Sequence, residues 1–543
     1  MERIDRAIGN ALPFTASPAG GVDFSGAEAA MGRGGKRRRF TAHGCLKRSA
    51  IVGRVAVAAM VLSLAAGCSS PYFRKVPEPA EQALPPRTLA QWPFDEYWAG
   101  IVFNGAKIGF SHFSLSPGPD SDGWFTVRSE AVFRIRFLLF DKQIRLRAED
   151  RVREDLSLVD FCYDYDLDGN RKRLSGRRQG DFLQVCIEAG GMEQHLVIPH
   201  TGALYPSSVI GLFPVREGLA VGRTYRYPVF DGETETVSEA LQQVDAYEES
   251  DLFSGRAFRV RTRLHGQEVT SWIDESGRPK LEMSMGGVLI AVLETATAAK
   301  AYLAEAVLNK EEVLLDFSRV PVDVPIDGAR TRRRLEVIIK GLPERFGIPS
   351  DLRQRCSASD PRGPVRCRID VDAVSPGSDM DAAPLYLAPT LAVPARHPKI
   401  AELARQIVGG AVSGQEQVRK LLSWIGENIE PAPVDAFSAM DVLKARKGEC
   451  QGQTFLFAAL SRSLQIPTKV VNGIVYASGE QGFLYHTWAE CLIGGAWVAV
   501  DPTFGQLPAD ATHIKLVEGE TPADLFPLVD TMGKLSVRVL EEE

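Results

Sequence analysis

The sequence Lys447-Gly448-Glu449-Cys450-Gln451-Gly452-Gln453 introduces the part of the chain that decides its C-terminal fold. An apolar run at residues 455–460 follows it, and Gly448 and Pro467 bracket that run as a single helix. Cys450 would lie in the first turn of this helix, where the positive end of the helix dipole favours a thiolate. The stretch therefore predicts a helix that carries a reactive thiol at its N-terminus.

Two predicted strands follow this helix and carry a histidine and an aspartate. Residues 484–493 and 496–500 are rich in aromatic and aliphatic side chains, and Gly494-Gly495 between them is typical of a tight hairpin. The hairpin would hold His486 and Asp501 side by side, with the preceding helix packed against one face. A thiol, a base and an orienting carboxylate are the groups of a nucleophilic triad.

From about residue 398 to 518 the chain resembles the transglutaminase-like superfamily, whose members have a papain-like thiol-enzyme fold. The resemblance implies that Cys450 is the nucleophile, His486 the base and Asp501 the group that orients the base. It also implies that no cofactor is needed, and we expect no metal. The matching motifs are Asp441-Val442-Leu443, Gly448-Glu449-Cys450, Leu464-Gln465-Ile466-Pro467-Thr468-Lys469-Val470-Val471-Asn472-Gly473, His486-Thr487-Trp488-Ala489-Glu490 and Trp497-Val498-Ala499-Val500-Asp501-Pro502-Thr503.

Three further groups lie close to these motifs in the sequence. Cys491 shares a predicted strand with His486 but has the opposite parity, so its side chain should point away from the base and into the core. His513 is expected to be exposed, where it either lines the cleft or has no role. The backbone N–H of Cys450 is the expected donor to an oxyanion.

The bulk composition is that of an ordinary globular protein. The chain has 543 residues, a formal net charge of -6, 45% hydrophobic residues and 24% charged residues. This length predicts about two to four domains. The mild acidity gives no electrostatic basis for binding nucleic acid.

The N-terminal region predicts export. A basic segment at residues 36–39 precedes an apolar segment at residues 51–66, as in a secretory signal. The sequence Leu64-Ala65-Ala66-Gly67-Cys68 resembles a bacterial lipobox, which implies that Cys68 is lipidated, and Ser69 after it implies sorting to the outer membrane. An uncleaved membrane anchor is the alternative, and Met31 is an alternative start.

The predicted fold class is α+β, with a large antiparallel β domain followed by the transglutaminase-like domain. Segments such as residues 257–263 alternate apolar and charged side chains, which indicates strands with one buried face. The β domain would either bind an apolar or extended ligand or serve as a platform. The predicted divisions are a leader and lipoprotein signal at 1–68, a proline-rich tether at 69–93, the β domain at 94–305, a small β module or linker at 306–390, and the catalytic domain at 391–543.

The cysteines predict two local disulfides, because disulfides persist in exported proteins. Cys162 and Cys186 lie on neighbouring strand-like segments, and Cys356 and Cys367 flank one loop. The cysteine and histidine spacing of a zinc site is absent from the sequence.

Together these patterns predict a lipid-anchored thiol enzyme of the bacterial cell envelope, facing the periplasm. Its substrate would be an amide or peptide bond in a protein or peptide, and its membrane contact would be the N-terminal lipid. Peptidase, amidase and transamidase activities stay open, because one triad serves all three. The alternative is a non-catalytic binding or assembly lipoprotein that uses its β domain.

Overall fold

The computed structural model describes residues 73–540, apart from residues 77–83, 119–122, 138–139, 168, 306–317, 345, 359, 361–362, 374, 377–382, 433 and 435. The predicted leader and the lipid attachment at Cys68 lie outside the described residues, as does part of the predicted tether. None of the helices within the described ranges combines the length and the apolar character needed to cross a bilayer.

A large sheet forms the N-terminal domain, with antiparallel pairs from β11 through β16 and β2 to β9 and a parallel β10–β11 pair. Its order is β10-β11-β12-β13-β14-β15-β16-β2-β3-β4-β5-β6-β7-β8-β9, so the first long strand pairs with the last. The strands up to residue 206 are β1 (Phe73–Lys75), β2 (Glu96–Phe103), β3 (Ala106–Pro117), β4 (Trp124–Phe137), β5 (Phe140–Arg153), β6 (Leu158–Leu167), β7 (Asn170–Gln179), β8 (Phe182–Ala189), β9 (Met192–Pro199) and β10 (Tyr205–Pro206). The remaining strands are β11 (Thr224–Asp231), β12 (Thr236–Ser250), β13 (Phe253–Leu264), β14 (Gln267–Ile273), β15 (Pro279–Ser284) and β16 (Leu289–Glu294).

The sheet is curled, as its core shows: strands from the β2–β9 half and from the β10–β16 half contribute side chains to the same buried cluster. Phe113 and Val127 of β3 and β4 belong to the same buried cluster as Val244 and Phe258 of β12 and β13. The predicted alternation of apolar and polar side chains is the cause, since it places every second residue of a strand on the inner face. Two helices accompany the sheet: α1 (Phe213–Arg216) and α2 (Ala296–Glu305).

The C-terminal domain surrounds one helix that is buried along most of its length. Residues 455–460 of α6 are buried, as the apolar run predicts. Three helices before α6 and strands β24 and β25 contribute to the same core. The helices are α3 (Pro398–Val408), α4 (Gly414–Asn428), α5 (Ala439–Ala445), α6 (Cys450–Ser463) and α7 (Pro522–Val529).

Three sheets complete this part of the described chain, and the smallest is the parallel pair of β22 and β23. One of the two larger sheets has the order β21-β26-β25-β24-β27, with β17 paired to β25, and the other has the order β19-β20-β18-β28. The strands predicted for residues 306–390 therefore share a sheet with the last strand of the chain. The bounds are β17 (Val320–Pro321), β18 (Arg334–Lys340), β19 (Gln354–Ala358), β20 (Val365–Asp370), β21 (Ser375–Pro376), β22 (Glu430–Pro431), β23 (Lys447–Gly448), β24 (Thr468–Ala477), β25 (Gly482–Ile493), β26 (Ala496–Val500), β27 (Ile514–Glu518) and β28 (Ser536–Leu540).

One of the two predicted disulfides is present and the other prediction is wrong. Cys356 and Cys367 form a disulfide across the β19–β20 pair. Cys162 and Cys186 are free, because β7 lies between their strands and Ser175 is opposite both. Two strand spacings of about 4.8 Å each exceed the roughly 7 Å that a disulfide spans between Cα atoms.

Candidate active site

Cys450 is the first residue of α6 and is partly exposed. The buried Gln453 side chain fixes the backbone just before this helix, since its Nε2 donates to the carbonyl oxygen of Gly448 at 2.9 Å. Gly452 permits the close packing of α5, because a Cβ there would lie 2.8 Å from a methyl group of Val442. The first N–H groups of a helix have no partner within it, and the role of the Cys450 N–H as an oxyanion donor stays a prediction.

The β25–β26 hairpin brings His486 and Asp501 together as the sequence predicts. His486 Nε2 donates to Asp501 Oδ2 at 2.8 Å, and both side chains are buried. The other carboxylate oxygen of Asp501 accepts from the backbone N–H groups of Thr503 and Phe504, at 2.7 and 3.1 Å. These bonds fix the carboxylate and leave Oδ2 free to orient the imidazole.

Cys450 also lies close enough to His486 to affect the protonation of its imidazole. Because Asp501 engages Nε2, the other ring nitrogen, Nδ1, is the one left to accept a proton from the thiol. Burial lowers the pKa of His486, but Asp501 and then Cys450 outweigh this effect and raise it from 6.5 to about 10. Burial acts to raise the pKa of Asp501, but its interactions with His486 and His513 hold that pKa well below the usual range.

The expectation that His513 is exposed is wrong. It is completely buried immediately before β27, and its Nε2 lies 2.8 Å from the same Oδ2 of Asp501. Its Nδ1 faces Asp510, at 3.2 Å from the carbonyl oxygen and 3.3 Å from Oδ1. The polar residues around His513 suggest an exposed loop. Asp510 instead points inward, where it accepts hydrogen bonds from both the N–H and the hydroxyl of Thr512.

Arg330 extends this network from a segment that sequence reasoning left without a role. Its Nη1 donates to Asp510 Oδ2 at 2.8 Å, and its guanidinium lies 4.2 Å from the ring centroid of Phe504. The Phe504 ring in turn stacks on His486, with centroids 5.2 Å apart. No sequence motif marks Arg330, because its part in the network depends on a contact made 180 residues along the chain.

Cys491 lies in the core, as strand parity predicts. It is completely buried and packs in the cluster formed by α6 and its neighbours. Burial raises the pKa of its thiol to about 12, which makes it a poor nucleophile.

Two groups of side chains are close enough to share one metal ion within the described part of the chain. They are His486 with Asp501 and His513, and Cys186 with Glu193 and His195. In the first group both imidazoles already share Asp501 Oδ2, so hydrogen bonds satisfy that oxygen. The second group lies on β8 and β9 at the surface, where the His195 side chain is 72% exposed. The expectation of no metal stays a prediction.

A cavity of about 400 Å³ lies beside the start of α6, between the two domains. Gln451 and Phe455 of α6 line it, together with Lys172 and Glu235 of the β domain. The domains meet closely here, because a Cβ on Gly190 would lie 2.9 Å from the Ser438 side chain. Most of the remaining lining is apolar: Leu167, Leu391, Ala392, Ala436, Phe437, Pro522, Leu525 and Val529.

Comparison with known proteins confirms the predicted resemblance. Residues 401–502 match the family described as the transglutaminase-like superfamily, and this segment contains Cys450, His486 and Asp501. Kyphoscoliosis peptidase of Mus musculus is 29% identical over 127 residues, which are 21% of this chain and 19% of that protein. The chain thus spans about a fifth of the length of this curated relative.

Two solved structures also show similarity. A protein of Cytophaga hutchinsonii, described as a candidate cysteine protease, is 19% identical, with 38% of this chain and 81% of that chain covered and a TM-score of 0.24. A β-barrel-like protein of Brucella abortus, from a domain family of unknown function, is 11% identical, with 39% and 98% covered and a TM-score of 0.29.

Proposed function

Because residues 401–502 form a transglutaminase-like domain, we propose that this chain is a papain-like thiol enzyme that attacks amide or peptide bonds. The observation that carries the proposal is the position of His486 between two partners. One ring nitrogen donates to Asp501 at 2.8 Å, and the other is left for Cys450. This is the arrangement in which an imidazole takes a proton from a thiol and later returns it.

In the first half of the reaction, the Cys450 thiolate attacks the carbonyl carbon of the substrate, and the carbonyl oxygen becomes an oxyanion. The N–H of Cys450 donates to this oxygen. His486, which holds the thiol proton, transfers it to the nitrogen of the leaving amine. The C–N bond breaks, the amine departs and a thioester to Cys450 remains.

In the second half, an acceptor attacks the thioester. The acceptor loses a proton to His486 as it bonds to the carbonyl carbon, and the C–S bond then breaks to regenerate the thiol. Water as acceptor gives a carboxylic acid, and a primary amine gives a new amide. We favour a peptidase, because the mouse relative is named as one.

We further propose that the enzyme works in the bacterial cell envelope, facing the periplasm and anchored in the outer membrane through lipid on Cys68. The signal-like sequence before Cys68 supports export. The Cys356–Cys367 disulfide also supports it, since such bonds persist in oxidising compartments. The substrate would then be a protein or peptide of the envelope. Mass analysis of the N-terminus from native membranes tests this proposal, and an unmodified Cys68 would contradict it.

The enzymatic proposal is tested by the rate at which a small thiol-directed electrophile labels Cys450. Cys162 is an exposed free thiol of the same chain and serves as an internal reference. At neutral pH we expect peptide mass analysis to show Cys450 labelled at least about tenfold faster than Cys162. His486→Ala should slow the labelling of Cys450 and leave that of Cys162 unchanged. Equal rates for the two thiols in the unmodified protein would contradict the proposal.

A second candidate function is binding by the β domain. The observation that favours it is a separate cavity on the inner face of the large sheet. This function does not exclude catalysis.

A further inference from the structure

The curled sheet of the β domain encloses a cavity of about 380 Å³ that the proposed enzymatic function does not use. Strands β12 to β15 line it, together with Tyr97, Phe113 and the segment 207–212. This volume lies within the range of about 300 to 1,000 Å³ that is usual for small-molecule sites.

Part of the cavity wall is apolar and rigid. Phe113, Val260 and Ile273 line the cavity and are at most 5% exposed, as members of the main core of the domain. Tyr97 stacks on Phe113 with ring centroids 4.9 Å apart. Such a wall suits a short aliphatic chain, and aromatic faces also attract cations.

The polar part of the wall is acidic. Asp231, Glu233 and Glu282 line the cavity, and no lysine or arginine is among its lining residues within the described chain. Asp231 is paired with His265 at 3.3 Å. Glu282 accepts a hydrogen bond from Ser271 at 2.9 Å. Neither Glu233 nor Glu282 forms a salt bridge with any described residue.

Glu282 is the lining carboxylate whose charge is least compensated. Burial raises its pKa, and only the hydrogen bond from Ser271 opposes this effect. Glu233 is exposed, and His265 offsets part of its charge. A carboxylate in a desolvated site is stabilised by a cation placed beside it. The cavity therefore favours a positively charged occupant over a neutral or negative one.

A second, independent observation concerns Gln267. Its Nε2 is buried and has no hydrogen-bond partner, although Gln267 lines the cavity. A buried N–H group without an acceptor is costly and is usually satisfied by a ligand or an ordered water. A ligand that offers an oxygen acceptor would therefore satisfy the side-chain amide of Gln267.

We propose that this cavity binds a small aliphatic primary ammonium compound that also carries an oxygen acceptor. Glu282 meets the ammonium group, Gln267 donates to the oxygen, and Phe113, Val260 and Ile273 contact the aliphatic chain. The site lies in the β domain and does not depend on the chemistry of Cys450.

Calorimetric titration of the full chain with aminohexanol tests the proposal, with hexanol and hexanoate as matched probes. We expect aminohexanol to bind at least about tenfold more tightly than either analogue. Glu282→Gln should weaken its binding by about tenfold, and thermal melting would verify that this isosteric variant is folded. Glu239→Gln changes an exposed carboxylate of β12 and should leave binding unchanged.

Three results would overturn the proposal. They are the absence of aminohexanol binding at millimolar concentration, binding of hexanol or hexanoate as tight as that of aminohexanol, and equal affinities of Glu239→Gln and Glu282→Gln for aminohexanol. Cys450→Ala should bind aminohexanol as the unmodified protein does. Failure of the enzymatic proposal would therefore leave this result unchanged.

Discussion

His513 gives Asp501 a second imidazole partner, and the two rings share a single carboxylate oxygen. Each Nε2 lies 2.8 Å from Asp501 Oδ2. His513 also contacts Asp510, which Arg330 holds from the opposite side. We infer that His513 positions the carboxylate and keeps it ionised, and that it acts on Cys450 only through Asp501 and His486.

Replacing His513 should weaken the thiol chemistry and change its pH dependence. His513→Asn removes a hydrogen bond that lowers the pKa of Asp501. We therefore expect the labelling of Cys450 to slow by about tenfold. The acid limb of the plot of labelling rate against pH should also move to higher pH. Labelling rates across a pH series measure both effects. His195→Asn, on the exposed β9, is the control, and a slower rate with an unmoved acid limb would indicate a merely structural role.

The histidine of the triad should titrate far from its usual range. The pKa of His486 is raised from 6.5 to about 10, so NMR of its imidazole should show the ring protonated at neutral pH. Because the folded value is the higher one, its contribution to stability is complete below pH 6.5 and is lost as the pH approaches 10. Unfolding of the protein and of His486→Gln should therefore converge at alkaline pH. A midpoint near 6.5 would contradict this prediction.

At the scale of elements, the contact between α5 and α6 sets the position of Cys450. A methyl group on Gly452 would meet Val442 at 2.8 Å, and the branched valine has little freedom to move. Gly452→Ala should destabilise the protein by about 1 to 3 kcal/mol and slow the labelling of Cys450. Denaturant unfolding measures the first effect.

Gly426 in α4 is the matched control for this substitution. It is exposed, and a Cβ there would meet nothing within 4 Å. Gly426→Ala should therefore stabilise the protein by up to about 1 kcal/mol through helix propensity. If Gly452→Ala instead stabilises the protein, α5 can shift away from the added methyl group at little cost in free energy.

Local patterns predicted the elements that carry the site, but not the contacts that support it. The apolar run after Cys450 and the hairpin at Gly494-Gly495 mark α6 and the β25–β26 pair, because both signals lie within a few residues. The roles of His513 and Arg330 depend on tertiary contacts, which the periodicity of nearby residues does not predict. The incorrect Cys162–Cys186 pairing has the same origin, since sequence proximity did not reveal that β7 lies between the two strands.

At the scale of the whole molecule, the site is supported from outside the segment that matches the family. Strand β28 pairs with β18, and Val537 is buried in the same core as Ala329 and Ala511. Ala329 precedes Arg330, and Ala511 follows Asp510. The end of the chain therefore stabilises the residues that hold the triad network.

Substitutions on the two faces of β28 should differ in their effect on the stability of the protein. Val537→Asp places a carboxylate in the core and should destabilise the protein by at least about 3 kcal/mol. Arg538 is exposed on the opposite face, and Arg538→Asp should change stability by no more than about 0.5 kcal/mol. Thermal unfolding distinguishes the two variants. Equal melting temperatures would show that β28 contributes little to this core.

The pairing of β2 with β16 has a mechanical consequence. These strands are antiparallel, with Trp98 opposite Glu294, so the start of β2 and the end of β16 lie side by side at one end of the ladder. Tension applied between these two points would separate the ladder one hydrogen bond at a time. The strand pair would therefore open under low force, and its opening would increase the distance between the two points.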